Sequence, residues 1–304
     1  MLSVIIPAYN EQEALPLTSA AVTKILCDAH IGFELIFIDD GSSDDTWDKI
    51  AELHAQNSKI KGLRFSKNFG KDAAIFAGLA HCKGDCAVVM DCDLQHPAEK
   101  IVDMYRLWSE GYEIVEGVKN TRGDEGRMHR FSAGIFYHIM TKIMKQDMSN
   151  ASDFKLLDRA VIDTLLKMPE HKMFFRALSS WVGYKSTTIL YDVQERVGGK
   201  SKWSTASLIK YAVSSAADFT VQPIQMVTKC GTLMLIISFV IGIWSLVDKI
   251  QGRSIEGMTT VIFLLLLIGS MIMISLGIIG YYIARIFEEV QARPRYIVKD
   301  LLDE

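Results

Sequence analysis

Short apolar segments alternate with amphipathic ones along residues 2–109. The apolar segments lack polar interruptions, which is typical of strands buried on both faces of a parallel sheet. The amphipathic segments repeat apolar residues three or four positions apart, which predicts helices. The predicted strands are 2–6, 33–38, 60–65 and 86–90, and the predicted helices are 12–28, 44–56, 71–82 and 97–109. The pattern therefore predicts an α/β domain with a mostly parallel sheet and flanking helices.

Two long apolar segments follow, at residues 230–247 and 258–284, and neither contains a charged residue. About 20 apolar residues in a helix cross a hydrocarbon core of about 30 Å, so we expect a transmembrane hairpin and not two buried core helices. Its outer flanks carry more Lys and Arg than the linker, which has Lys249 and Arg253. Positive residues favour the cytoplasmic side, so both termini are expected there. No signal-peptide pattern precedes the first strand, which agrees with a cytoplasmic catalytic domain.

The region before the hairpin has an apolar stripe at helical spacing over residues 204–226. Such a helix beside a span is expected to lie in the membrane interface, although packing on the soluble domain stays open as an alternative. The predicted division is a catalytic domain, interfacial helices, two transmembrane helices and a cytoplasmic C-terminal tail, at residues 1–203, 204–228, 229–285 and 286–304.

Composition excludes several classes of protein. The 33 basic and 36 acidic residues give a net charge of −3, which argues against a basic nucleic-acid binder. With 49% hydrophobic residues, the chain can bury a core and is not disordered. The five cysteines form no CxxC pair, which argues against a disulfide scaffold or zinc site and fits a reducing compartment. The sequence also lacks GxGxxG and GxxxxGK[ST], so neither a dinucleotide fold nor a P-loop is predicted.

Polar clusters follow three of the predicted strands, at residues 7–11, 39–42 and 91–93. Ligands of open α/β sheets bind beyond the carboxyl ends of the strands, where these clusters are expected to meet. Asp91 and Asp93 form an Asp-x-Asp triplet that can share a hard divalent cation. Mg²⁺ or Mn²⁺ prefers such oxygen ligands and commonly keeps bonds to substrate phosphates.

The order and spacing of the polar motifs resemble the family 2 glycosyltransferases, and among them the polyprenyl-phosphate glycosyltransferases. The motifs are PAYNE at 7–11, DDGSSDDT at 39–46, NFGK at 68–71, DCDLQHP at 91–97, SDFKLLDR at 152–159 and RVGGKSKW at 196–203. The resemblance implies a GT-A type sheet. One departure is His96-Pro97-Ala98, where the family usually has Asp-Pro-Pro. His96 either alters the surroundings of the metal or is a plain surface histidine.

The resemblance also implies a donor site for a sugar nucleotide. One carboxylate of Asp39 and Asp40 is expected to hold the uracil or ribose, and Lys71 to reach the diphosphate unless it is simply solvated. The other residues implied on the nucleotide side are Pro7, Tyr9, Asn10, Glu11, Asp91 and Cys92.

Asp93 is the expected metal ligand, with Asp91 and Gln95 supporting it or facing the sugar. The metal would stabilise the departing nucleoside diphosphate. Asp153 matches the family position near the reacting centre, and either removes a proton or orients the acceptor or sugar. A phosphate acceptor is already largely ionised at pH 7 and hardly needs a base.

The acceptor side requires cations. Arg122, Arg127 and Arg130 lie in a polar segment that predicts a mobile loop, and a second such segment contains Arg196, Ser201 and Lys202. Arginine binds phosphate through two parallel hydrogen bonds, which suits a lipid phosphate. Contact with anionic headgroups is an alternative that is compatible with this role.

The expected function is inverting transfer of one hexose from a nucleotide-sugar to polyprenyl (undecaprenyl) phosphate at the cytoplasmic face of the inner membrane. UDP-glucose is the favoured donor, with UDP-GlcNAc and GDP-mannose next. The rivals are a processive polysaccharide synthase, whose QxxRW motif is absent, and a non-catalytic nucleotide-binding membrane protein. The expected partners include the bilayer but no nucleic acid. Ser238 and Gly242 lie one helical turn apart and keep a homo-oligomer, such as a tetramer, open.

Overall fold

A computed structural model of the chain describes residues 1–120, 152–168, 174–192 and 258–303, together with the isolated positions 231–233, 236, 240 and 251. The chain divides into two compact units. The first unit comprises Met1–Ala212 and Arg293–Glu304, and the second comprises Val213–Ala292. The C-terminal end of the chain therefore belongs to the same unit as the N-terminal region.

The described part of the first unit is built on an eight-stranded sheet with the order β7-β5-β6-β4-β1-β2-β3-β8. Strands β4, β1, β2 and β3 are parallel and adjacent. Strand β6 is antiparallel to both β4 and β5, β7 is parallel to β5, and β8 is antiparallel to β3. The strands are β1 Leu2–Ala8, β2 Phe33–Asp39, β3 Ile60–Phe65, β4 Cys86–Val89, β5 Ile114–Lys119, β6 Lys155–Asp158, β7 Ser186–Tyr191 and β8 Val298–Leu302.

Helices cover the sheet. They are α1 Ala14–Asp28, α2 Thr46–Gln56, α3 Lys71–His81, α4 Glu99–Ser109, α5 Arg159–Leu166 and α6 Phe175–Trp181. Strands β1, β2 and β4 are buried almost throughout, because the helices cover both faces. Helix α3 approaches the sheet at Gly78, where a Cβ atom would lie 2.4 Å from Ile5 Cγ2. This close contact fixes the start of α3, with Lys71, relative to the ends of the parallel strands.

The predicted mostly parallel α/β architecture is confirmed. The four predicted strands and four predicted helices are present with their ends shifted by at most two residues. The sequence pattern did not predict β5, β7 or β8, two of which contain charged residues that interrupt the apolar run, whereas β6 lies in the strand-like segment FKLL at 154–157. Strand β8 places residues 298–302 at the edge of the sheet, a position that the predicted C-terminal tail did not include.

The second unit contains helix α7, Met258–Val290, which is 33 residues long. Within the described residues, one helix is long and apolar enough to cross a membrane, through its segment Met271–Val290 with a mean hydropathy of 1.5. Apart from isolated positions, the first predicted span at 230–247 lies outside the described residues, as does the interfacial segment 204–226. The two-helix hairpin therefore stays a prediction.

Candidate active site

The polar clusters predicted from the sequence meet at one edge of the sheet. Strand β1 lies between β2 and β4, with Ala8 beside Asp39 and Ile5 beside Val89. The chain leaves all three strands at their carboxyl ends, so the PAYNE, DDGS and Asp-x-Asp segments are neighbours. This edge is where open α/β sheets bind ligands.

Asp40 holds the loop that leads into α3. Its carboxylate is 4% exposed and accepts hydrogen bonds from the backbone N–H groups of Phe69 (2.7 Å) and Gly70 (3.0 Å). Burial raises the pKa of Asp40 to about 6, because the two hydrogen bonds only partly offset the loss of solvation. The side chain therefore positions residues 69 and 70, directly before Lys71.

Asp39 is completely buried beside it. Its Oδ1 accepts a hydrogen bond from the backbone N–H of Ser42 (2.8 Å), which holds the DDGS turn. Its Oδ2 has no hydrogen-bond partner among the described residues and lies 3.4 Å from Arg64 Nε. Asp39 Oδ2 is thus a buried acceptor atom whose charged neighbour is the Arg64 guanidinium.

The PAYNE segment is fixed against the same turn. Asn10 has a positive φ of 54° and accepts a hydrogen bond from the backbone N–H of Ser43 (2.9 Å). The backbone N–H of Glu11 donates to Thr46 Oγ1 (2.9 Å). Pro7 is the last but one residue of β1, and Tyr9 is 39% exposed. Asn10 therefore stabilises the turn, whereas Tyr9 is partly exposed to solvent.

Four charged side chains form a compact cluster between α3, β4, β6 and α6. Lys71 Nζ lies 2.5 Å from Asp91 Oδ1 and 2.7 Å from Asp153 Oδ2. Arg176 donates through Nε to Asp153 Oδ1 and through Nη2 to Asp153 Oδ2, both at 2.7 Å. Two positive and two negative charges thus compensate each other at the predicted reacting centre. Lys71 is therefore ion-paired rather than simply solvated.

The cluster shifts the ionisation of its members. Burial lowers the pKa of Lys71, but the charges of Asp91 and Asp153 outweigh burial and hold that pKa above its ordinary value. Burial raises the pKa of Asp153, but Lys71 and Arg176 outweigh it and hold the pKa far below the ordinary range. The two cations therefore favour the ionised form of Asp153.

The Asp-x-Asp turn lies directly beyond β4. Asp93 is 9% exposed, and its Oδ1 accepts a hydrogen bond from the backbone N–H of Gln95 (3.1 Å). Leu94, between them, has a positive φ of 57°. Cys92 packs in the hydrophobic core, while its carbonyl accepts a hydrogen bond from Thr18 Oγ1 (2.6 Å). The thiol of Cys92 thus contributes to packing, and the carboxylates on either side belong to the polar edge.

The oxygen atoms of Asp91, Asp93 and Gln95 are of the type that Mg²⁺ and Mn²⁺ prefer. Within the described part of the chain, no group of three His, Cys, Asp or Glu side chains could hold a metal ion by itself. A metal at this turn would therefore take its remaining ligands from the amide of Gln95 and from substrate phosphates. The donor atoms suit such an ion in type, and Asp91 Oδ1 contacts the Lys71 ammonium at 2.5 Å.

His96 is a buried structural residue, and the alternative of a surface histidine is wrong. It is 6% exposed, stacks on Phe154 with 4.7 Å between ring centroids, and packs edge-on against Tyr191. Its Nδ1 accepts a hydrogen bond from the backbone N–H of Asp91 (3.2 Å). Burial lowers the pKa of His96, which favours the neutral ring that this hydrogen bond requires. His96 thus fixes the backbone of the Asp-x-Asp turn.

Sequence reasoning missed the residues that support Asp153. Lys155 is fully buried in β6 and contacts Glu116 Oε1 (3.2 Å) and Ser179 Oγ (2.9 Å). Its ammonium therefore links β5 and β6 to α6, the helix that carries Arg176. Asp72 holds the start of the same helix by accepting a hydrogen bond from the backbone N–H of Phe175 (3.0 Å). The signal in the sequence was Lys155 itself, because a lysine inside the apolar segment FKLL indicates a buried ion pair, here with Glu116.

The predicted acceptor residues lie outside the described residues. These are Arg122, Arg127, Arg130, Arg196, Ser201 and Lys202. Their roles therefore stay predictions.

Comparisons with known proteins identify the family of the chain. The family model described as "Glycosyl transferase family 2" matches residues 3–166. The chain is 36% identical over 302 residues to "Putative glycosyltransferase CsbB" of Bacillus subtilis, covering 99% of this chain and 92% of that protein. It is 34% identical over 300 residues to "SfII prophage-derived bactoprenol glucosyl transferase" of Shigella flexneri, covering 98% and 97%.

Solved structures with a similar fold include a sugar-transfer enzyme from Mycobacterium tuberculosis. It is glucosyl-3-phosphoglycerate synthase from Mycobacterium tuberculosis, with a TM-score of 0.52 and 21% identity over 71% of this chain and 76% of that chain. This likeness supports a GT-A type α/β fold with a mostly parallel sheet. Because the family model covers more than half of the chain and the relatives match nearly all of it, the chain belongs to glycosyltransferase family 2 and is a glycosyltransferase.

Proposed function

We propose that the protein transfers one hexose to polyprenyl phosphate with inversion at the anomeric carbon, and that the favoured donor is UDP-glucose. The observation that carries the proposal is the cluster of two cations and two carboxylates at the strand ends, near Asp39 and Asp40. Its members are Lys71, Asp91, Asp153 and Arg176. Relatives named bactoprenol glucosyl transferase, which are similar over almost the whole chain, support the sugar and the lipid acceptor.

The donor side follows from Asp39, Asp40 and Lys71. Asp39 Oδ2 is the carboxylate oxygen that would accept a hydrogen bond from the uracil or ribose, and the exposed ring of Tyr9 would contact the base. Asp40 acts through the loop, because its carboxylate is already engaged by the N–H groups of residues 69 and 70. Lys71 then presents its ammonium to the diphosphate.

Asp91, Asp93 and Gln95 are the proposed ligands of a divalent cation. The structural relative was solved with Mn²⁺, which supports a metal of this class. When bound, such a cation would neutralise the charge that builds up on the departing diphosphate. Lys71 makes its ion pair with Asp91, so it lies where it can neutralise the same charge from the protein side.

Asp153 is proposed to orient the reactants rather than to remove a proton. A phosphate monoester is mostly ionised at pH 7, since its second pKa is about 6, and its oxygen can attack the anomeric carbon directly. The bond from that carbon to UDP breaks as the new bond forms on the opposite face. Asp153, fixed by Arg176 and Lys71, provides a rigid anion beside these atoms.

We propose that the two apolar segments anchor the enzyme as a hairpin in the inner membrane, with residues 1–203 and the C-terminal residues cytoplasmic. Segment 204–228 would lie in the interface. Basic residues near it, Arg196 and Lys202, together with Arg122 and Arg130, would bind the lipid phosphate. The sequence pattern supports this arrangement.

A transfer assay tests the proposal. Purified full-length protein in detergent is incubated with undecaprenyl phosphate and radiolabelled UDP-glucose, UDP-GlcNAc or GDP-mannose in separate reactions. We expect label in the lipid phase with UDP-glucose, and its loss in Asp93→Asn but not in Asp103→Asn, a carboxylate on α4 that is 41% exposed. The absence of lipid-linked label with every donor would contradict the proposal. Label in a water-soluble polymer would favour a processive synthase instead.

A further inference from the structure

The C-terminal segment, residues 295–303, returns to the catalytic sheet after helix α7. Its strand β8 runs antiparallel to β3, with Arg64 beside Asp300 and Phe65 beside Val298. The backbone N–H of Ser66 donates to Ile297 O (3.0 Å), which extends the pairing into the loop after β3. That loop, residues 66–70, is the one whose end Asp40 holds. The C-terminal segment therefore borders the proposed donor site.

An aromatic contact connects the segment to this loop. Tyr296 stacks on Phe65 with 5.0 Å between ring centroids and 17° between planes. Phe65 is 1% exposed and packs edge-on against Phe69 at 5.6 Å. The backbone N–H of Phe69 donates to Asp40 at 2.7 Å. A displacement of Tyr296 would therefore change the packing of the residue that hydrogen-bonds to Asp40.

An ionic contact forms a second and separate connection. Arg64 Nη1 lies 3.8 Å from Asp300 Oδ2, and Arg64 Nε lies 3.4 Å from Asp39 Oδ2. Arg64 thus bridges the C-terminal segment and the carboxylate that is proposed to hold the uracil or ribose. Asp300 is therefore one of the contacts of the guanidinium that pairs with Asp39.

Both ends of the segment are attached to the first unit. Arg295 Nη2 donates to the carbonyl of Met168 (2.6 Å) at one end. At the other end, Asp303 pairs with Lys61 (2.8 Å) and Lys83 (3.1 Å). The segment is therefore held in register, and it contributes side chains at defined positions.

We propose that the C-terminal segment is a positioning element of the donor site, acting on Asp40 through Tyr296 and on Asp39 through Asp300. The proposal rests on the proposed donor role of these two carboxylates. It differs from the simple function of covering a sheet edge, which any paired strand performs. An edge cover would affect stability alone, whereas a positioning element also changes nucleotide affinity and the protection of the loop amides.

The test compares variants of the full-length protein in detergent. Tyr296→Ala removes the stacked ring, Tyr296→Phe keeps it, and Leu190→Ala removes an exposed side chain (59%) from the opposite edge strand β7. Calorimetry measures UDP affinity, and hydrogen exchange measures the amides of residues 66–70. We expect UDP binding about 3- to 10-fold weaker in Tyr296→Ala, from the loss of one aromatic stack, with faster exchange of these amides. Tyr296→Phe and Leu190→Ala should match the wild type.

Equal UDP affinity and equal loop exchange in Tyr296→Ala and the wild type would overturn the proposal. If Tyr296→Ala does not fold, Asp300→Asn tests the ionic connection by the same two measurements, and again unchanged values overturn it. If the wild type does not bind UDP, the proposed donor is wrong, and hydrogen exchange alone decides whether the segment controls the loop. The two failures are thus distinguishable.

Discussion

Removing Arg176 tests the charge cluster most severely. In Arg176→Ala, Asp153 loses both of its hydrogen bonds from the guanidinium, each 2.7 Å long, and keeps Lys71 as its cation. Asp153 is 6% exposed, so water replaces these contacts poorly. We therefore expect a lower melting temperature, a higher pKa for Asp153 and a loss of sugar transfer.

The magnitude follows from burial. Removing one partner of a buried ion pair costs about 3–5 kcal/mol. The lower end applies here, about 3 kcal/mol, because the Arg176 side chain is 33% exposed and Lys71 remains. For a domain of about 200 residues, 1 kcal/mol corresponds to about 2–4 °C, so the melting temperature should fall by about 6–12 °C. The melting temperature of Arg176→Lys should lie between those of Arg176→Ala and the wild type, since an ammonium keeps the charge but cannot form two parallel hydrogen bonds.

The assay is thermal unfolding of the purified full-length protein, together with sugar transfer measured as a function of pH. Arg106→Ala is the matched control, because Arg106 on α4 is 70% exposed and lies 3.9 Å from Glu110. Such a surface pair contributes less than about 1 kcal/mol. A melting temperature for Arg176→Ala within about 2 °C of the control, with unchanged transfer, would refute the argument.

Four further predictions follow from the site and the sequence. EDTA should abolish sugar transfer, and added Mg²⁺ or Mn²⁺ should restore it. Asp93→Asn should lose at least about 100-fold in transfer rate while remaining folded, and full activity of this variant in EDTA would exclude the metal site. Arg196→Ala should reduce transfer roughly 10-fold or more with unchanged UDP affinity in calorimetry, whereas Asp40→Ala should weaken UDP binding by releasing the loop. Cysteines placed at Gln251 should react with an impermeant reagent outside the cell, and cysteines at Lys299 only after permeabilisation; the reverse pattern would overturn the topology. Folding raises the pKa of Asp40 from 3.8 to about 6, so its protonated form adds about 3 kcal/mol to the free energy of unfolding. This stability is complete below about pH 4 and is lost as the pH rises through about 6. Asp40→Asn should therefore make the melting temperature less dependent on pH between about 4 and 6.

The parallel half of the sheet could be predicted because its strands are continuous apolar runs buried on both faces. Strand β5 could not, since Glu116 interrupts its apolar pattern, and the strand-like segment FKLL indicated β6 but not the partner of its Lys155. These two charges neutralise each other at 3.2 Å inside the fold, and such compensation between distant residues has no periodic signature in a single sequence. Strand β8 is short and largely exposed, so it resembles a polar tail until its pairing with β3 is known.

The residues of the site also divide into those that the sequence predicts and those that it does not. Residues at the end of a strand or shortly after it, such as Asp39, Asp91 and Asp93, could be predicted because the strand fixes where the chain emerges from the sheet. Arg176 could not, because its role depends on how α6 is oriented over Asp153, and Lys155 and Asp72 determine that orientation. The engagement of Asp40 by the amides of residues 69 and 70 likewise depends on tertiary structure.

Mass spectrometry of the lipid product shows directly whether one hexose is transferred to the lipid phosphate. Full-length protein is incubated with undecaprenyl phosphate, UDP-glucose and Mg²⁺, and the extracted lipid and the released nucleotide are identified. We expect a single hexose joined to the lipid through one phosphate, with one UDP released for each hexose transferred. A lipid that remains unmodified, or one that carries a growing chain of sugars, would contradict it.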